Sequence, residues 1–254
     1  MFHVVIPARY AASRFPGKPL AMIGGRPMIQ WVWERARASG AASVVIATDD
    51  ERIRSVAADF GADCAMTAST HASGTDRIAE VVRQRAWIPD DIVVNVQGDE
   101  PQIEPQLIDE LAESLRLRPA IAIATAVAPV LSLAEFLDPN CVKAVRADDG
   151  RALYFSRAPV PWPRDGLDAG QPARYEGAWR HIGIYAYRVS SLLQFAAWPP
   201  GRLELTEKLE QLRALERGMS IHLVTLRNAP PAGVDTPADL ERIRALQIGR
   251  SGRA

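Results

Sequence analysis

Residues 4–20 read VVIPARYAASRFPGKPL, a short apolar strand followed at once by a loop that holds Arg9, Arg14 and Lys18. In open α/β sheets, ligands bind at the carboxyl ends of the strands. Three cations at such an end indicate a strongly anionic ligand such as a triphosphate, because guanidinium groups pair with phosphate oxygens in a fork and lysine adds a compact charge. The alternative is a solvated loop whose charges only keep the surface soluble.

This loop does not match the standard nucleotide-binding motifs. Pro19 follows Gly17-Lys18 at the position where a P-loop has Ser or Thr, and no GxGxxG follows the strand. A nucleotide site here would therefore be of another type.

The composition limits the possible partners. The chain has 254 residues, and its 30 basic residues balance 30 acidic ones, so no overall field attracts nucleic acid or anionic lipid. Cys64 and Cys141 lack the spacing of a zinc site and are expected to be reduced thiols. We find no targeting signal, and the longest apolar stretch, residues 120–131, is shorter than the ~20 residues of a membrane span. We expect a cytoplasmic protein that binds neither nucleic acid nor membrane.

Strand-like and helix-like segments alternate through the first half of the chain. Apolar runs predict strands, and apolar spacings of three and four predict helices between them. Such alternation predicts an α/β fold with a mostly parallel sheet and helices on both faces. The predicted strands are residues 43–48, 62–66, 91–96 and 121–127, and the predicted helices are 27–39, 50–60, a helix capped by Ser73, and 104–117.

The pattern changes after residue 129. Asp148-Asp149-Gly150 joins two short strands, 142–146 and 152–157, into a predicted hairpin, and a strand returns at 181–188. We interpret residues 130–190 as an inserted antiparallel lobe for substrate binding and dimerisation. Residues 1–129 and 191–254 would then form the nucleotide-binding α/β domain, with later helices near 206–217 and 236–246 around a strand at 220–225.

Two acidic turns follow predicted strands and are candidates for binding a metal. Residues 97–101 read QGDEP, and residues 233–237 read GVDTP. Carboxylates at strand ends could hold Mg²⁺, which favours one or two carboxylates together with phosphate oxygens and water. The alternative for Asp99 and Asp235 is an ordinary capping role at the helix that follows each of them.

The segment HASGTDR at residues 71–77 opens a predicted helix. Its backbone N–H groups and hydroxyls would suit a polar or anionic ligand, and they could contact a nucleotide base. Alternatively, Ser73 only caps the helix and Asp76 completes a capping box.

The second half of the chain has its own polar candidates. Arg157 could bind a substrate carboxylate with two hydrogen bonds, and His181 and Tyr185 could bind hydroxyls, although a single histidine on a strand is more often a packed residue. Glu210 and Gln211 lie on a predicted helix, LTEKLEQLRAL at residues 205–215, where they could equally face water.

Taken together, the sequence resembles the 3-deoxy-manno-octulosonate cytidylyltransferases, the CMP-Kdo synthetases of lipopolysaccharide assembly. The similarity runs almost end to end, with a more variable segment at 164–179. The matching blocks are residues 6–20, GGRPMIQWV, ATDD, HASGTDRIAEV, VVNVQGDEP, ALYFSRAPVPW, HIGIYAYR, EKLEQLR and GVDTPADLER.

This resemblance implies a three-layer, Rossmann-like nucleotidyltransferase fold and a homodimer. It implies a role in catalysis for Lys18, Asp99 and Asp235, with Mg²⁺ bound by the two aspartates. The CTP phosphates would be bound by Arg9, Arg14 and Lys18, and the cytidine pocket would include Ser73 and Arg77. The residues implied to surround the sugar acid Kdo are Gln97, Arg157, His181, Tyr185, Glu210 and Gln211.

Two rival functions stay open at this point. One is a CMP-sialic acid synthetase, which has a similar opening loop, although HASGTDR, SRAPVPW and HIGIYAYR are more like the Kdo enzymes. The other is a nucleotide sensor without catalysis, which would not need both candidate metal carboxylates. The sequence leaves open whether the sugar is the 8-hydroxy or the 8-amino form and how many Mg²⁺ ions act.

Overall fold

A computed structural model describes residues 1–11, 15–164 and 177–251, with side chains described up to residue 246. The chain divides into two compact units. The first unit contains Met1–Asp109 together with Pro230–Ala254, and the second contains Glu110–Ala229.

The elements follow one another in the alternating order expected of an α/β chain. The strands are β1 (Phe2–Ala8), β2 (Met22–Ile23), β3 (Arg26–Pro27), β4 (Ser43–Thr48), β5 (Asp63–Met66), β6 (Ile92–Asn95), β7 (Ile123–Pro129), β8 (Lys143–Arg146), β9 (Ala152–Ser156), β10 (Trp179–Arg188) and β11 (Ile221–Thr225). The helices are α1 (Met28–Arg37), α2 (Glu51–Asp59), α3 (Gly74–Arg85), α4 (Pro105–Arg116), α5 (Leu133–Leu137), α6 (Val189–Ala197), α7 (Arg202–Glu207), α8 (Gln211–Glu216) and α9 (Pro237–Ser251).

The first unit is built on a parallel sheet in the order β6-β1-β4-β5. The apolar runs of β1 and β4 are buried, with Val4, Val5, Ile6 and Ile46 fully inaccessible, as expected for parallel strands covered by helices. Helices α1, α2 and α3 pack against these strands. Because the strands are parallel, the loops after β1, β4, β5 and β6 all leave from one edge of the sheet.

Helix α9 returns the end of the chain to this first unit. Val234, Leu240 and Ile243 join Ile23 and Met28 in one buried apolar cluster. Burial of such side chains stabilises the contact by roughly 1.5–3 kcal/mol each. This packing fixes the segment before α9, which carries Asp235.

The second unit is mixed. β11 runs parallel to β7, whereas β10 is antiparallel to both β7 and β8, and β8 forms an antiparallel hairpin with β9. The predicted mostly parallel α/β class, with antiparallel strands in the second half of the chain, is therefore confirmed. None of the helices in the described ranges is long and apolar enough to cross a membrane.

The compact units have different limits from the predicted division at residues 130 and 190. β7 and β11 lie outside the predicted insert, yet they are hydrogen-bonded in one sheet with β10, which lies inside it. The role of residues 130–190 as a substrate and dimerisation lobe stays a prediction.

The prediction of one continuous helix near 206–217 is wrong. The chain leaves the helical conformation at Lys208, whose φ of 54° is left-handed, so that α7 and α8 are separate short helices. Leu205 is exposed as a result, whereas Leu209 and Leu212 are buried as expected. The sequence analysis also missed α5, α6 and the small β2–β3 pair.

Candidate active site

Three predicted catalytic residues lie together in the first unit. Lys18 starts a short 3-10 turn after β1, Asp99 follows β6, and Asp235 precedes α9. Lys18 Nζ donates a hydrogen bond to Asp99 Oδ2 at 2.5 Å and another to the carbonyl of Val234 at 2.9 Å. The same nitrogen is 3.7 Å from Asp235 Oδ1. Two carboxylates therefore approach one cationic position.

This arrangement fits a divalent cation that takes its other ligands from a substrate. Asp99 and Asp235 supply the hard oxygen ligands that Mg²⁺ prefers, and phosphate oxygens and water would complete its coordination. Within the described ranges, no group of three or more His, Cys, Asp or Glu side chains could hold a metal by itself.

A cleft of about 220 Å³ opens beside this cluster. Its walls combine the end of β1 with the turn after β6 and the start of α3. The lining residues are Pro7, Ala8, Arg9, Lys18, Pro19, Gly74, Gln97, Gly98 and Asp99. Arg9 and Gln97, both predicted from the sequence, therefore border the same cleft as Lys18 and Asp99.

Arg9 is held in place by the loop before α3. Its Nη2 donates a hydrogen bond to the carbonyl of His71 at 2.6 Å, and His71 Nε2 contacts Glu80 Oε2. Because the His71 carbonyl is uncharged, this hydrogen bond does not neutralise Arg9, and its positive charge can attract an anion. Arg14, the other predicted phosphate-binding arginine, lies outside the described residues.

Glu100 is a residue that the sequence analysis quoted but did not propose for any role. The pKa of its carboxyl is raised to about 7, first by burial and then by the nearby negative charges of Asp99 and Asp235, against the opposing effect of Lys18. Gly233 packs closely on it, since a Cβ at Gly233 would lie 2.8 Å from Glu100 Oε1. No local signal distinguished Glu100, because its burial depends on a segment from the other end of the chain.

Ser73 caps α3. Its Oγ accepts a hydrogen bond from the backbone N–H of Asp76 at 3.1 Å, and the Asp76 carboxylate accepts one from the backbone N–H of Ser73 at 3.1 Å. The expected capping box is therefore present. Whether Ser73 also contacts cytidine stays a prediction.

Arg77 is fully buried one turn further along α3. Its Nη2 donates a hydrogen bond to Asp49 Oδ2 at 3.0 Å, and Nη1 donates one to Thr67 Oγ1. Asp49 and Thr67 follow β4 and β5, so Arg77 joins the helix to two strand ends. Any contribution of Arg77 to a cytidine pocket would accompany this structural role.

His181 and Tyr185 lie together on β10 in the second unit, with their ring centroids 5.4 Å apart. His181 Nε2 is hydrogen-bonded to Thr125 Oγ1 at 3.0 Å. Burial lowers the pKa of His181 to about 4, so the imidazole is neutral near pH 7. Burial raises the pKa of Tyr185 well above its usual value, so its phenol also stays neutral. Both side chains can therefore exchange hydrogen bonds with hydroxyl groups.

Arg157 follows β9 in the same unit, and two backbone carbonyls hold its guanidinium. Nε donates a hydrogen bond to the carbonyl of Glu207 at 2.7 Å, and Nη1 donates one to the carbonyl of Pro139 at 2.9 Å. As at Arg9, these uncharged partners leave the positive charge for an anionic ligand.

Glu210 and Gln211 stand where α8 begins. Glu210 is the N-cap residue and lies 3.6 Å from Arg213, measured between Oε1 and Nη2. Gln211 is only 7% exposed, and its Nε2 has no hydrogen-bond partner among the described residues. Gln211 is therefore a buried polar side chain and does not simply face water.

Comparisons with known proteins show the family to which the chain belongs. The sequence model of the family described as "Cytidylyltransferase" matches residues 3–221. The chain is 53% identical to the 3-deoxy-manno-octulosonate cytidylyltransferase of Pseudomonas syringae over 98% of both chains. It is 53% identical to the protein of the same name from Thioalkalivibrio sulfidiphilus, over 96% of this chain and 98% of the relative.

A solved structure is similar over nearly the whole fold. It is described as CMP:2-keto-3-deoxy-manno-octonic acid synthetase complexed with CTP, with a TM-score of 0.89 and 43% identity over 98% of this chain and 99% of the other. Sequence and fold thus agree, and the chain belongs to the cytidylyltransferase family, among the 3-deoxy-manno-octulosonate cytidylyltransferases.

Proposed function

We propose that this chain transfers CMP from CTP to the anomeric hydroxyl of 3-deoxy-D-manno-octulosonate (Kdo), giving CMP-Kdo and pyrophosphate for lipopolysaccharide synthesis. The observation that carries the proposal is the meeting of Lys18, Asp99 and Asp235 beside a cleft, in a chain 53% identical to a relative of that name. The hydroxyl oxygen would bond to the α-phosphorus as the bond to pyrophosphate breaks. Such a transfer requires mainly positioning and charge neutralisation from the protein.

The phosphates of CTP would be bound by Arg9 and Lys18, with Arg14 as a further cation. Lys18 would move its ammonium contact from Asp99 to the phosphate oxygens and would stabilise the charge that develops on pyrophosphate. Glu80 and His71 would hold Arg9 in place through the His71 carbonyl.

Mg²⁺ is the proposed cofactor, with Asp99 and Asp235 as its protein ligands. When bound, Mg²⁺ would polarise phosphoryl oxygens and lower the proton affinity of the attacking hydroxyl. The short distances from Lys18 to both carboxylates support this assignment, since the two acids already face one cationic position.

The sugar acid would be bound by the polar side chains that the family resemblance implies, and Gln97 is one of them. Arg157 would pair with its carboxylate, because hydrogen bonds between a guanidinium and a carboxylate are charge-assisted and therefore strong. Neutral imidazole and phenol groups would bind hydroxyls. The residues of the second unit in this proposal are Arg157, His181, Tyr185, Glu210 and Gln211.

We further propose a cytoplasmic homodimer, as the family resemblance implies. Sedimentation of the purified chain would measure its oligomeric state, and a monomer at assay concentration would contradict this part of the proposal.

The activity is tested by incubating the protein with CTP, Mg²⁺ and Kdo and measuring release of pyrophosphate and formation of CMP-Kdo. Parallel reactions with sialic acid distinguish the rival synthetase. We expect efficient turnover with Kdo only. Binding of CTP without pyrophosphate release from either sugar acid would support the nucleotide sensor instead.

A further inference from the structure

The carboxylate of Glu207 holds the strand end that carries Arg157. Glu207 Oε1 accepts a hydrogen bond from Ser156 Oγ at 2.7 Å, and Oε2 accepts one from the backbone N–H of Arg157 at 2.9 Å. The carbonyl of Glu207 also accepts the hydrogen bond from Arg157 Nε at 2.7 Å. A single residue therefore contacts both the main chain and the side chain of Arg157.

The end of α7 makes this double contact possible. Glu207 is the last residue of the helix, and the last carbonyls of a helix have no partner within it. Lys208 then turns into the left-handed region with φ 54°, which ends the helix at that point. The Glu207 carbonyl is thus available to accept from the guanidinium.

A buried lysine holds the loop whose Pro139 carbonyl contacts the same guanidinium. Lys143 is fully buried, and its Nζ donates hydrogen bonds to the carbonyls of Asp138 at 2.7 Å and Cys141 at 2.5 Å. Between these two lies Pro139, whose carbonyl accepts from Arg157 Nη1 at 2.9 Å. Burying the ammonium group of Lys143 costs free energy. Because this buried group fixes the loop at residues 138–141, we infer that the Pro139 carbonyl must be held in a precise position.

We propose that Glu207 and Lys143 are positioning residues that hold the Arg157 guanidinium in one orientation, so that Nη2 pairs with the carboxylate of the sugar acid. Among the described residues, the hydrogen bonds of Arg157 use its backbone N–H, Nε and Nη1 and leave Nη2 for a ligand. This inference deepens the proposed function and rests on it, since Arg157 is taken as the residue that binds the acid.

The test compares the affinities for the two substrates. Glu207→Gln replaces the carboxylate with a neutral amide, so it weakens the charge-assisted contacts to Ser156 and to the backbone N–H of Arg157, and Kd and KM for Kdo should rise by roughly 10-fold or more. Lys143→Met should act in the same direction. KM for CTP should stay unchanged in both variants. Thr206→Ala is the matched control, because Thr206 precedes Glu207, is exposed, and donates its hydroxyl hydrogen bond to the Arg202 carbonyl within α7.

A second measurement separates positioning from simple loss of fold. The methyl ester of Kdo lacks the carboxylate charge, so Glu207→Gln should weaken its binding much less than it weakens binding of Kdo. Likewise, Arg157→Ala should weaken binding of Kdo, and adding Glu207→Gln to it should cause little further loss. If Glu207→Gln fails to fold, Glu207→Asp provides the same comparison with the charge retained.

The outcomes are distinguishable. Calorimetric titration with Kdo measures binding directly, so absence of turnover in the unmodified chain would refute the proposed function and still leave positioning measurable. Unchanged Kdo affinity in Glu207→Gln, with reduced affinity in Arg157→Ala, would overturn the positioning role. Equal weakening of CTP, Kdo and its ester would also overturn it, because it would indicate general destabilisation.

Discussion

Lys18 Nζ lies 2.5 Å from Asp99 Oδ2, so an ion pair joins the loop after β1 to the turn after β6, 81 residues later in the chain. The ammonium compensates a carboxylate that otherwise faces the nearby Asp235 and Glu100 carboxyl groups. Binding of CTP with a divalent cation would exchange these charges, because the phosphates attract Lys18 and the cation takes its place between the acids. In the proposed reaction, the divalent cation would therefore take over the contacts that Lys18 makes with the two aspartates.

Asp99→Asn should reduce turnover far more than CTP affinity. The neutral amide oxygen is a weaker metal ligand than a carboxylate, and loss of one preorganised electrostatic contact typically lowers kcat by roughly 10²–10³-fold. Pyrophosphate release gives kcat, and calorimetric titration gives the affinity for CTP. Asp90→Asn, at an exposed position, is the control. Equal losses of turnover and CTP affinity would count against the metal assignment.

Glu100 should make the free energy of unfolding depend on pH. Its pKa is raised from 4.5 to about 7, so between these values the folded chain keeps a proton that the unfolded chain has released. The protonated Glu100 therefore contributes about 3 kcal/mol to the free energy of unfolding, relative to the ionised form. This contribution is complete below pH 4.5 and is lost as the pH rises through 7. Glu100→Gln removes this dependence of the unfolding free energy on pH. The variant should therefore become more stable relative to the unmodified chain as the pH rises.

Urea unfolding on both sides of this pH range, without divalent cations, measures the effect. Glu104→Gln, which changes an exposed carboxyl four residues away, is the control. Parallel pH profiles for Glu100→Gln and the unmodified chain would show that Glu100 titrates normally in the folded state.

Arg77→Met should destabilise the first unit. The change leaves Asp49 without the guanidinium that it pairs with at 3.0 Å, and removing one partner of a buried ion pair costs about 3–5 kcal/mol. Arg85→Met is the control on the same helix, since its ion pair with Asp63 is partly exposed and is worth at most about 1 kcal/mol. Chemical unfolding compares the two. An Arg77→Met chain of normal stability with a raised KM for CTP would assign this guanidinium to the ligand.

Local sequence signals predicted much of the fold. The apolar run at 43–48 is β4 with the predicted limits, and Ser73 with Asp76 forms the expected capping box. Both features depend on residues close in sequence. The helix predicted near 206–217 failed for the opposite reason, because the break at Lys208 accompanies contacts between Glu207 and residues some 50 positions earlier.

The residues of the candidate site also differ in whether the local sequence could indicate them. Lys18, Asp99 and Asp235 could be proposed because each follows or precedes a recognisable strand or helix, and parallel strands bring their ends to one edge. Glu100, Glu207 and Lys143 could not, since their environment is set by segments distant in sequence. A carboxyl that is buried against Gly233 has the same local pattern as one exposed in a turn.

Gly150→Ala should destabilise the second unit through two separate effects. Gly150 has φ +88°, where a side chain costs about 1–2 kcal/mol. In addition, the new Cβ would lie 2.4 Å from Cε1 of the buried His222, and such overpacking typically costs about 1–3 kcal/mol more. Gly218→Ala isolates the first effect, because Gly218 has φ +75° and no atom of the described residues lies within 4 Å of its Cβ position. We therefore expect Gly150→Ala to be the more destabilising of the two in urea unfolding.

A double variant tests the steric part of this prediction. His222→Ala alone leaves a cavity and costs stability, but in the Gly150→Ala background it also removes the atoms that the new methyl group would meet. The two substitutions should therefore be less destabilising together than the sum of their separate effects, by roughly the overpacking energy of 1–3 kcal/mol. Additive effects would mean that the hairpin turn moves away from β11 without cost, and the tight approach of Gly150 to His222 would then contribute nothing to stability.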